Sequence, residues 1–213
     1  MHTYPYVFLR NRKFCRRQCL ECCRRVDGRE GEEAEGLPLA AIPLLFGVQQ
    51  LIDGAVWLSF GAPAVHTAAT YAYALFAFVF WPIFTPLALL SVETKRTRRE
   101  ILEALAVVGL GVGLFFAYFI LFGTVTAQIV NHCVAYDTPH PYGFGILAFY
   151  LIATCGAFFV SSKKILTIFG IVLLVSFAVA GWFYFETFSS VWCFFAAILS
   201  GIIYWHFQNE SAM

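Results

Sequence analysis

Gln49, Gln50, Asp53 and Trp57 recur at spacings of three and four residues in an otherwise apolar stretch, and on a helix that spacing lines them along one face. Two amides, a carboxylate and an indole so arranged could bind a small polar solute, a cation or a proton. Asp53 is the only acid in the interior of a predicted helix. An aspartate at mid-helix costs about 2.5 to 3.5 kcal/mol on insertion scales, so Asp53 is expected to face the bundle interior with Gln49 or Gln50 nearby. The same groups could serve packing alone, because interhelical hydrogen bonds are worth under about 2 kcal/mol each. One acid without a basic partner makes a poor proton relay.

The second collection of polar chemistry is the loop 124–142, which carries Asn131, His132, Asp137 and His140. His132 is expected as a gate or hydrogen-bond partner above the stripe. An alternative joins His132, His140, Asp53 and His66 in a metal site for an intramembrane hydrolase, since imidazole and carboxylate suit zinc and similar ions. No histidine pair has the i, i+4 spacing of a zinc hydrolase helix, and no metal or other cofactor is expected. Gly109 and Gly113, like Ala197 and Gly201, have the spacing of a close helix contact. Cys133, Cys155 and Cys193 are expected to stay free. Ser59, Ser161 and Ser162 lack a histidine and acid at the spacing of a serine hydrolase.

These residues lie on or between six apolar runs, at 37–60, 67–92, 100–123, 143–162, 165–185 and 188–207. Each approaches or exceeds the roughly 20 residues that a bilayer core of ~30 Å requires of a helix. The chain of 213 residues is 60% hydrophobic, 18% aromatic and only 13% charged, against about 25% charged in soluble domains. It needs lipid as solvent and a bilayer as partner, which excludes a cytosolic enzyme and a secreted disulfide scaffold. A net charge of +1 excludes nucleic-acid binding by bulk positive charge. The fold expected is an all-α polytopic bundle of six spans, with Trp81-Pro82 and Pro86 kinking the second and Pro43 bending the first.

All 14 Lys and Arg fall in the N-terminal segment, in the loop 93–99 or at Lys163 and Lys164. The alternate loops carry none. By the positive-inside rule the basic loops and both termini are cytoplasmic, in a cell membrane, and the stripe runs toward the outer leaflet.

The segments LPLAAIPLLFGVQQLIDGAVWLS, residues 37–59, and SVWCFFAAILS, residues 190–200, resemble an uncharacterised polytopic membrane family of bacteria and archaea, a domain of unknown function. Its best motif is Gln49-Gln50-Leu51-Ile52-Asp53-Gly54 followed by Trp57, with Glu common in members where this chain has Asp53. The resemblance covers residues 37 to about 206 and implies a bundle of seven spans but no activity. Residues 1–36 depart from it. They hold eight of the 14 basic and six of the 13 acidic residues, with Cys15, Cys19, Cys22 and Cys23, where the family has an additional helix. The segment is read either as a disordered charged tail or as a stretch in a shifted reading frame, because one permitted back-translation of residues 14–28 reads as SADGSVLNAAGVLMA in the next frame. Residues 37–207 form the helical domain, and 208–213 a cytoplasmic tail.

Overall fold

A computed structural model describes residues 36–138 and 143–211 of the chain, with side chains described as far as Trp205 and without that of Phe144. The readings made for residues 1–35 and for His140 lie outside the described residues. What is described is an all-α bundle whose helical segments fall on the six apolar runs.

The first helical run long and apolar enough to cross a membrane covers Gly36–Leu58. It is broken by a turn at Ala41, and helix α1 resumes as Ile42–Leu58 with Pro43 in its opening turn, where a missing N–H is tolerated. The second, Pro63–Val92, consists of α2 (Pro63–Ala74), a wide π turn (Leu75–Phe80) and α3 (Trp81–Val92). Pro82 cannot donate into an α-helical ladder and its ring crowds the carbonyl four residues back. The expected kink takes the form of this wide turn just before it. Helix α4 (Arg96–Phe122) is the third. The fourth apolar run gives α5 (Phe144–Leu151), a second π turn (Ile152–Gly156) and the short α6 (Ala157–Val160). Among the described residues five helices are long and apolar enough to cross a membrane, and this one is shorter. Helices α7 (Lys164–Phe183) and α8 (Phe188–Ser211) complete the set, the last continuing past the expected end at residue 207.

Between α4 and α5 the chain forms a hairpin of β1 (Thr126–Val130) and β2 (Cys133–Asp137), paired antiparallel from Thr126↔Asp137 to Val130↔Cys133. The two residues of its turn, Asn131 and His132, have φ of 47° and 62°, the left-handed pair that a tight hairpin with matching twist requires. Ala127, Val134 and Tyr136 bury one face of the hairpin among Val56, Tyr73, Ala77 and Cys193.

Phe46 and Trp81 stack at 3.9 Å in the larger core, which also holds Phe116, Phe158, Phe169 and Trp192. Helices α3 and α4 meet where Gly109 lies against the backbone of Pro82: a Cβ there would stand 1.8 Å from the Pro82 carbonyl oxygen. At Gly113 a Cβ would lie 2.6 Å from Ile83 Cδ1. The Ala197 and Gly201 pair behaves differently, since a Cβ on Gly201 meets nothing within 4 Å and so no close approach depends on it.

The loops at the opposite end from the hairpin are tied together by a buried acid. Glu93, 3% exposed, accepts hydrogen bonds from the backbone N–H of Thr94, Lys95 and Ser162 and from the Ser162 hydroxyl, at 2.7 to 3.1 Å. Burial alone would push its carboxyl up, but these donors and the nearby Arg98 outweigh it and hold it below the usual carboxylate range. Arg98 donates to the carbonyls of Val160 and Ser161, and Arg99 to those of Leu90 and Glu93. These contacts satisfy groups that helix ends leave without partners. They turn a loop recognised only by its positive charge into a clasp between α3–α4 and α6–α7.

Candidate functional site

Helix α1 presents its polar residues in two directions. Gln49 has no exposed surface and points into the bundle: its Oε1 accepts from Trp81 Nε1 at 2.6 Å and its Nε2 donates to Cys193 Sγ at 3.1 Å. One amide thereby joins α1, α3 and α8. Gln50, Asp53 and Trp57 instead line a recess of about 450 Å³ between α1, the hairpin and the start of α8. His132, at the tip of the hairpin, lines the same recess. The structure therefore gathers four of the five residues singled out in the sequence and places Gln49 behind them.

Asp53 does have partners, and they are not the glutamines. Its Oδ1 accepts from the Tyr136 hydroxyl at 2.5 Å and its Oδ2 from the Ser190 hydroxyl at 2.7 Å. Neither glutamine expected near Asp53 supplies its donor, because the Gln49 amide is already engaged and Gln50 Nε2 is buried with no hydrogen-bond partner. Tyr136 reaches Asp53 from β2 and stacks on Tyr73 at 4.0 Å, nearly parallel. Burial, with the negative charge of Asp53 beside it, pushes the Tyr136 phenol well above its ordinary value, so it remains a protonated donor across the physiological range. The Tyr73 hydroxyl is buried near Ser189 and Cys193 without a hydrogen bond of normal geometry to either.

The other lining residues are Gly54, Cys133, Val134, Tyr184, Ser190, Val191, Phe194 and Phe195. Among the described residues Asp53 is the single acid on the lining, no Lys or Arg joins it, and Trp57, Tyr184, Phe194 and Phe195 provide aromatic surface. Tyr136 and Ser190 were missed in the sequence because each lies far along the chain from Asp53. The signal for Tyr136 was present: 126–130 and 133–137 are short β-prone runs separated by two residues able to adopt positive φ.

His66 does not line this recess. Its Nδ1 lies 3.3 Å from the Ser59 hydroxyl and its ring packs on Phe60, at the turn between α1 and α2. Asp137 and Glu186 are exposed. Among the described residues no three of His, Cys, Asp and Glu gather as a metal-binding set, and Cys133, Cys155 and Cys193 are free.

Residues 22–213 match the model of a family of unknown function, DUF6629. The match starts before residue 37, so part of the segment read as departing from the resembled family lies within it. No curated protein and no solved structure matches the chain.

Proposed function

The chain belongs to this family of unknown function, and from that premise we propose that it is a multi-pass membrane protein whose recess at Asp53 binds a small polar solute or ion. The observation that carries this reading is an acid anchored through both oxygens, by Tyr136 and Ser190, on the wall of an open recess of about 450 Å³. That volume falls within the range of about 300 to 1,000 Å³ common to small-molecule sites. A carboxylate offers about four lone-pair directions, so two remain for a ligand. The site residues in this reading are Gln50, Asp53, Trp57 and His132, with Gln49 as their support.

Binding is favoured over passage. Behind the recess the polar groups run from Cys193 through Gln49 to the Trp81 indole, which only donates and cannot relay a proton onward. Phe46 and Trp81 stack at 3.9 Å beside it, and the void they line with Thr85, Tyr150 and Thr154 holds only about 30 Å³. With the basic loops cytoplasmic, the recess opens at the outer face of the cell membrane and both termini lie inside.

Thermal melting of the detergent-purified protein against a panel of small polar solutes tests the reading. At least one solute should raise the midpoint of the wild type and fail to do so in Asp53→Asn. A panel that shifts neither protein, or both equally, would remove the binding role.

A further inference from the structure

We propose that the recess selects an organic ammonium group, held by the Asp53 carboxylate against the aromatic wall of Trp57, Tyr184, Phe194 and Phe195. The inference rests on the binding role above and names the ligand's chemistry. Among the described lining residues Asp53 is the only acid, His132 is the one imidazole and there is no Lys or Arg, so an anionic solute meets the carboxylate with no ammonium or guanidinium group to offset it. A small divalent metal ion asks for several hard or imidazole ligands, and no such set gathers among the described residues. A diffuse organic cation asks for something else: one counter-charge, and the faces of aromatic rings whose quadrupole attracts positive charge without stripping a tight hydration shell. Both are present. Trp57, the best cation–π partner by ring type, is one helical turn from Asp53 on α1 and 38% exposed. The two oxygens of Asp53 are fixed by neutral hydroxyl donors, which orient the carboxylate without cancelling its charge.

The same ammonium chemistry could arrive as a free solute or as the headgroup of a lipid in the outer leaflet. Calorimetric titration of the full chain in a non-ionic detergent separates charge from shape: choline is compared with its uncharged carbon isostere, 3,3-dimethylbutan-1-ol. Choline should bind at least tenfold more tightly. Trp57→Leu, a change at a partly exposed position that leaves the anchoring of Asp53 intact, should weaken choline about 5- to 30-fold and the isostere by a smaller factor, since the isostere loses only apolar contact. Equal binding of the two probes, or binding of neither at 50 mM, overturns selection for an organic cation, while the binding role is decided separately by the solute panel. Repeating the choline titration in vesicles of phosphatidylcholine and of phosphatidylglycerol assigns the source. Competition confined to phosphatidylcholine identifies a headgroup site, and equal affinity in both identifies a site for a free solute.

Discussion

Gln49 and Asp53 sit one helical turn apart and hold opposite positions in the energetics of the bundle. The amide of Gln49 is fully buried and used at both ends, so its removal leaves the Trp81 N–H in apolar surroundings without an acceptor. An unsatisfied buried donor costs about 1 to 3 kcal/mol. Gln49→Leu, similar in size, should therefore lower thermal stability in detergent by an amount of that order, while Gln50→Leu, whose Nε2 has no partner to lose, should cost little or nothing. Equal losses in the two variants would contradict the bridging role of Gln49. Asp53 shows how far residue spacing alone can be read. The helical spacing of Gln50, Asp53 and Trp57 was legible, because three- and four-residue intervals on a helix bring side chains onto one face. The donors to Asp53 were not, since Tyr136 and Ser190 approach from other elements and nothing local to α1 encodes their arrival.

Close contact between elements depends on small residues where backbones meet, and the glycines of α4 separate this effect from helix propensity. Gly109 and Gly111 lie on one helix two residues apart, yet a Cβ at the first meets the Pro82 carbonyl oxygen at 1.8 Å and at the second meets nothing within 4 Å. Gly109→Ala must push α3 and α4 apart and should destabilise by about 1 to 3 kcal/mol, as overpacking does. Gly111→Ala should be neutral or slightly stabilising, by up to ~1 kcal/mol, because glycine is the poorer helix former. Parallel melting curves of the two variants check this, and similar midpoints would show that the contact yields easily. The spacing of Gly109 and Gly113 made this contact legible, whereas the same spacing at Ala197 and Gly201 does not mark one. Spacing shows where helices can approach; which pairs do approach is decided by the whole set of packed neighbours. The hairpin is not legible in the sequence for a related reason. Its strands are only five residues each, and the turn uses Asn-His where the strongest hairpin signal is Asn-Gly. Tertiary burial of Ala127, Val134 and Tyr136 supplies what the local signal lacks.

Across the whole molecule, hydropathy and charge located the six helical runs, because a bilayer imposes length and composition independently of detailed packing; among the described residues five of them are long and apolar enough to cross, and the fourth is shorter. Hydropathy and charge did not reveal the clasp around Glu93, which looks in sequence like one acid beside four bases. Its carboxyl is held low in the folded protein, so it contributes stability that is fully present above the ordinary carboxylate range and is lost as pH falls through the folded value. Glu93→Gln should lower stability at pH 7 by about 1.5 to 3 kcal/mol, the worth of hydrogen bonds to a charged group, and should flatten the decline of the melting midpoint below about pH 5. An unchanged acid profile would assign that decline to other groups. Orientation is a property of the entire chain and depends on the sorting of every Lys and Arg to alternate loops. Asn131 at the hairpin tip and Arg96 at the start of α4 are both exposed, and they lie on loops assigned to opposite faces. In intact cells, with Cys133 replaced by serine, a membrane-impermeant maleimide should label Asn131→Cys and leave Arg96→Cys untouched until the membrane is permeabilised. The reverse pattern would invert the topology, turn the recess at Asp53 toward the cytoplasm and require its ligand to be sought there.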